Sequence, residues 1–228
     1  MSQQTLQTLQ LLPTLQMLRL ASPALPVGAF AYSGGLESAI DEGLVDKSSA
    51  RRWLDDALLL AQARWDAPVL WRLLHADETA FACWNTRYIA SRETRELRLE
   101  TLQLGGSLNK LLRDLDPTVT PATPASSTPE LSFPAAWALA SRAWQIPPHA
   151  SLTAWLMAFA ENQIAVLQKA LPLGQVAAQR LLSEVLPTIE SAATIASSLP
   201  DEALSSSLPG LALLSARHET QYSRLFRS

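Results

Sequence analysis

The chain has 228 residues, 48% of them hydrophobic and 17% charged, and a formal net charge of −3. That length and apolar content suffice to bury a core, and the slightly acidic balance removes the electrostatic case for nucleic acid, whose binding needs clustered Lys and Arg. Cys83 is the only cysteine, which excludes an internal disulfide and fits a reducing compartment; His75, His149 and His218 are too few and too scattered for a dedicated nickel or zinc cage.

In chain order, the N-terminus repeats Thr-Leu-Gln at residues 5, 8 and 14. It has no Lys or Arg before Arg19, and Pro13 splits its apolar run, so it does not read as a secretion signal. Residues 1–20 are expected to form a flexible N-terminus. From 49 to 64, Trp53, Leu54, Ala57, Leu58 and Ala61 recur at steps of three and four, the mark of one buried helix face. A second helix is expected to start at Asp66, with the carboxylate as its cap, Pro68 in its first turn, and Val69, Leu70, Leu73 and Leu74 inward.

The clearest stripe is Leu97, Thr101, Leu104, Leu108, Leu111 and Leu115. Gly105 and Gly106 interrupt it at about 1 kcal/mol each in helix propensity, which reads as a place of close helix approach. The neighbouring run "SRETRELR" reads as a solvated face of ion pairs. Residues 116–134 hold many prolines among Thr, Ser and Ala and are expected to form a loop. Helices resume over 135–144 and again from Ser151 to Leu171, where Glu161, Asn162, Gln163 and Lys169 argue against a membrane span. Another is expected from Gln175 to about Ser197, kinked at Pro187, and a last short one after Pro209. Sustained period-two alternation is missing, so the expectation is an all-α, single-domain helical bundle of roughly eight to ten helices in the cytoplasm.

The chemistry question concentrates in "SPALPVGAFAYSGGLESAI", residues 22–40. A Walker loop needs Gly, four residues, then Gly-Lys-Ser/Thr; here five residues separate Gly28 from Gly34 and no lysine follows. "AYSGG" resembles a nucleophile elbow around Ser33, with His149 and His218 later in the chain, but that elbow needs a strand before it. This leaves a serine hydrolase as a remote alternative. The plain reading is a glycine-permitted turn into a helix that begins at Leu36, with Glu37 in its first turn.

That segment, as Leu25-Pro26-Val27-Gly28, Phe30, Tyr32-Ser33 and Gly35-Leu36-Glu37, resembles the N-terminal signature of the urease accessory protein UreF family. Three further stretches match in order: "ETRELRLETLQLGGSLNKLL", "LPLGQVAAQRLL" and the terminal "RHETQYSRLFRS". The resemblance implies an all-α homodimer that binds UreD (UreH in some organisms) and, with it, recruits the GTPase UreG to apo-urease to build the dinickel site. It implies no cofactor bound directly, nickel and GTP being handled by partners, and no enzymatic activity; the alternative is a GTPase-activating or fidelity role toward UreG, with the terminal arginines and Arg95 as candidates.

On this reading residues 217–228 are a partner-docking tail. Arg217, His218, Glu219, Tyr222, Arg224, Leu225, Phe226 and Arg227 are its candidate residues, with Tyr222, Leu225 and Phe226 presented together by one helical turn. The competing expectation is a tail folded back on its own body. Tyr32, Ser33 and Glu37 are candidates for a surface that faces UreG or organises the dimer, against a turn in which Ser33 is only a cap; on the first expectation Glu37→Ala weakens recruitment more than stability. Gln175 and Gln179 stand one turn apart, able to bond across an interface or to satisfy backbone at the Pro172–Gly174 bend.

Overall fold

The apolar stripes at helical spacing need partners, and they find one another. The computed structural model describes residues 3–115 and 130–228, with side chains from Leu11 onward. All its regular elements are helical. They are α1 (Gln3–Ala21), α2 (Leu36–Asp41), α3 (Ala50–Asp56), α4 (Ala67–His75), α5 (Glu78–Ala90), α6 (Arg95–Leu115), α7 (Phe133–Ala143), α8 (Pro148–Ala170), α9 (Gln175–Ser198) and α10 (Pro209–His218). Short 3₁₀ turns occupy Ala29–Ala31 and Asp201–Ala203. One continuous core runs through them, with Leu54, Leu58, Leu70, Leu73, Leu108, Leu152, Leu156 and Leu167 fully enclosed. The all-α bundle expected from the sequence is therefore correct.

No helix starts at Asp66. The segment Ala57–Asp66 is π-helical and joins α3 to α4 without a break. The cause is Pro68, which cannot donate to the carbonyl of Arg64 and would crowd it. Widening the turn relieves the crowding: the Ala67 N–H bonds back to the Gln62 carbonyl, and the freed Arg64 carbonyl accepts from the Ser205 N–H at 3.2 Å. Asp66, released from any capping role, accepts from the Gln62 amide and the Tyr88 hydroxyl, each at 2.8 Å.

Gly105 is where α6 meets the segment entering α7. A Cβ there would lie 2.1 Å from the Leu131 carbonyl oxygen, whereas one on Gly106 would meet nothing. The inward stripe of α6 runs through Thr101, Leu104, Leu108 and Leu112; Leu115, at the predicted end of the stripe, is exposed. Of the Pro-rich stretch 116–134, residues 116–129 lie outside the described residues. Ser132 caps α7, with Phe133 and Pro134 in its first turn. The stretch 1–20, expected as a flexible N-terminus, carries α1, whose C-terminal end is anchored by buried Leu20 and by Arg19 over the Trp144 ring.

Candidate functional site

Three glycines shape the 22–40 segment. Gly28, Gly34 and Gly35 all sit at positive φ, and a Cβ on Gly35 would also press within 3.0 Å of Leu211 in α10. The paired turn at Gly34–Gly35 starts α2 at once. From α8, Asn162 donates to the Tyr32 carbonyl and Gln163 to the Ser33 carbonyl, both at 2.9 Å, which fixes the turn from below.

The C-terminal tail is folded onto this turn. Ser33 donates its backbone N–H, at 2.8 Å, and its hydroxyl to the Ser228 carbonyl, while the Arg227 N–H donates to the Ala31 carbonyl at 2.7 Å. The Glu37 carboxylate accepts from two successive tail amides, Leu225 N–H at 2.6 Å and Phe226 N–H at 3.0 Å. Phe226 is enclosed, and the Lys169 ammonium lies between its ring and that of Phe30. The Ser228 hydroxyl donates to Glu100 at 2.9 Å.

His218 locks the arrangement. Its ring is fully buried, with Nε2 3.0 Å from Glu37 and Nδ1 2.7 Å from Glu96. Each ring nitrogen thus has a carboxyl group of its own. Arg224 adds a guanidinium on Glu96 at 2.8 Å. Glu37 is in the first turn of α2, where a negative charge suits the helix dipole. Glu219 accepts from the Glu96 N–H at the start of α6.

The candidate residues thus divide. Tyr32, Ser33, Glu37, His218 and Phe226 are interior and hold the chain's own tail, so in this conformation they do not form an outer recognition surface. Tyr222 and Leu225 point outward, at 105% and 66% exposure, joined by exposed Arg217, Arg224 and Arg227. The expected helical turn across Tyr222–Phe226 is absent, because α10 ends at His218; in the extended tail Leu225 faces out while Phe226 faces in. Gln175 and Gln179 are exposed on α9 and take no part in the network; Gln175 accepts from Gln168 at 3.0 Å. Ser33 bonds the tail rather than a histidine, and the described residues contain no strand to build a nucleophile elbow, so the hydrolase alternative loses its geometry.

The run "SRETRELR" is not simply a solvated face. Glu96 is a half-buried partner of His218, and Arg92 pairs with Asp66 at 3.2 Å. Arg92, Glu96 and Glu100 recur every four residues, the one signal that could have marked them as a single inward face. The Glu100 carboxyl lies inside, although the residue keeps some surface, and burial pushes it up to about 7, opposed by the Ser228 hydrogen bond and by Arg92. Asp66 and Glu96 push it the same way as burial, and Tyr88, Tyr32 and Arg227 complete its surroundings.

Unfolded, this carboxyl ionises near its ordinary 4.5; folded, it holds its proton to about 7. The folded chain therefore binds the extra proton across that window. Its stability falls as pH rises through the window, by at most about 3 kcal/mol, and the loss is complete above about 7. Urea titrations at pH 5 and pH 8 are expected to show this slope in the native chain and a flatter one in Glu100→Gln.

A family model for UreF matches residues 44–186, leaving out the 25–37 segment and the tail. The chain is 49% identical to the urease accessory protein UreF of Janthinobacterium sp. (strain Marseille), over 94% of this chain and 97% of that protein. It is 51% identical to the protein of the same name from Ectopseudomonas mendocina (strain ymp), over 95% and 99%. The corresponding protein of Azoarcus sp. (strain BH72) is 48% identical over 96% and 97%. With a family model spanning more than half of it and relatives at about half identity along nearly all of it, this chain belongs to the UreF family.

Proposed function

We propose that this protein is a urease maturation factor that works with UreD/UreH to recruit the GTPase UreG to apo-urease for assembly of the dinickel site. The observation that carries this reading is identity near one half, over almost the entire chain, to proteins named urease accessory protein UreF. It acts as a scaffold rather than an enzyme, in the cytoplasm, with nickel and GTP held by its partners. Among the described residues no helix is long and apolar enough to cross a membrane. The exposed leucines of α1, Leu11, Leu12, Leu15 and Leu18, support a homodimer, since a helix face so apolar is costly to leave in water.

In this reading the folded tail is a presentation device. Glu37, His218 and Ser33 spend their hydrogen bonds holding it, which leaves Tyr222 and Leu225 projecting, with arginines around them, toward UreD. Deleting residues 217–228 would also remove the buried His218 and Phe226, so point changes are the cleaner test. Tyr222→Ala with Leu225→Ala is expected to abolish co-purification with UreD while changing stability by no more than about 0.5 kcal/mol. Undiminished co-purification would overturn the tail assignment.

One observation favours the regulatory reading as a second possibility. Arg224 is tied to Glu96 and Arg217 to Glu42, but Arg95 is exposed and has no hydrogen bond or ion pair among the described residues. Exposed and unbonded, it is able to reach a phosphoryl group on UreG. Single-turnover GTP hydrolysis by UreG, with the native chain and with Arg95→Ala, decides it: acceleration lost in the variant supports activation, and unchanged hydrolysis supports the scaffold.

A further inference from the structure

A cavity of about 290 Å³ opens between the 22–34 segment, the π-helical stretch, α6, α8 and the chain near Leu211. Its walls are mainly apolar and include the indoles of Trp53, Trp65, Trp137 and Trp155. Every one of those indole N–H groups is already committed inside the protein, to Gln163, Ser91, Ser151 and Gln62 respectively. These four rings therefore offer flat apolar faces and edges and no free donors.

One end is different. Arg92 reaches the cavity with its guanidinium immobilised: one nitrogen pairs with Asp66, another meets the Ser91 hydroxyl at 3.4 Å, and the plane lies 4.2 Å over the Tyr88 ring. Its Nε is buried and has no acceptor among the described residues. A buried donor without an acceptor is costly, more so on a charged group, and in folded proteins such a group marks a place where something outside the chain accepts. Glu100 also lines this cavity, bonded there only to the Ser228 hydroxyl.

We propose that this cavity is a binding site for a small uncharged amide on a flat apolar body. The flat body lies against the indoles, the amide carbonyl accepts from Arg92 Nε–H, and the amide N–H₂ faces Glu100. Charge selects against a carboxylate: Asp66, Glu93, Glu100 and Glu161 all border the space, against Arg92 as its only guanidinium. It also selects against a plain hydrocarbon, which leaves the Arg92 donor unmet. An amide suits both states of Glu100, because a protonated carboxyl keeps an acceptor oxygen for the amide N–H₂.

Benzamide is the probe, titrated into the full-length chain and followed by tryptophan fluorescence and ligand-observed NMR, with benzoate and toluene as comparisons. The expected result is saturable benzamide binding with a dissociation constant on the order of millimolar or below, given so few ligand atoms. Benzoate and toluene are each expected to bind at least about tenfold more weakly, a difference of about 1.4 kcal/mol. Ala158→Leu, which fills the cavity from α8, and Arg92→Lys, which keeps the charge and removes Nε–H, are each expected to weaken benzamide at least about tenfold. If Arg92→Lys does not fold, Ala158→Leu fixes the location and the three-ligand series fixes the polar end. Failure of benzamide to saturate, binding untouched by Ala158→Leu, or equal binding of toluene and benzamide would each overturn the proposal.

Discussion

Glu37→Ala is expected to destabilise the chain by about 3–5 kcal/mol, because it strands a buried imidazole nitrogen and two backbone donors at once. The carboxylate holds His218 Nε2 and the amides of Leu225 and Phe226, all inside the protein. Without it, the tail loses its central attachment and is left with its outer ones, to Ser33, Ala31, Glu96 and Glu100. Urea denaturation measures the loss. Hydrogen exchange at Leu225 and Phe226, together with trypsin cleavage after Arg224, reads tail release directly. Any weakening of UreG recruitment then follows the loss of stability, which reverses the ranking expected from sequence alone. A variant with native denaturation and native amide protection would sink this assignment.

The second large effect separates two adjacent glycines. Gly105→Ala is expected to cost about 1–3 kcal/mol, and Gly106→Ala to gain about 0.5–1 kcal/mol. Both sit within α6, where alanine is the better helix former. At Gly106 nothing opposes that preference. At Gly105 the new methyl would be driven against the backbone of Leu131 and Ser132, and this segment has little room to retreat. Its amides and carbonyls are already fixed: Asn85 donates to the Glu130 carbonyl at 2.8 Å and accepts from Ser132 N–H at 2.9 Å, and Thr101 accepts from Phe133 N–H at 2.9 Å. Thermal melts of the two variants suffice, and matching shifts would refute the close approach.

Helix positions were legible wherever burial repeats at helical spacing. Leu54 and Leu58, Val69 through Leu74, Leu104 and Leu108, and Leu152 through Leu167 lie inside as their periodicity requires. Three elements escaped for a common reason. The π-helical join at Ala57–Asp66 depends on where the Arg64 carbonyl goes, and the donor it finds is the Ser205 N–H, far along the chain. The pairing of Glu96 and Arg92 depends on α10 and Asp66 arriving opposite them; by local composition alone the same run is a solvated face. Docking of α1 depends on α8 arriving beside it and on Trp144 meeting Arg19, which a Pro-interrupted run does not announce.

The motif residues show the same division. By itself the sequence determined an all-helical chain, a glycine turn at 28–35 leading into α2, and membership of the UreF family. These follow from local properties: apolar spacing, positive-φ tolerance and residue identity. Only the tertiary structure decided which way each motif residue faces. Glu37 and His218 are 181 positions apart, and their pairing turns a conspicuous surface glutamate into the buried clasp of the tail. Burying a carboxylate is favourable only when its partners converge on it, and that convergence is a property of the folded chain as a whole.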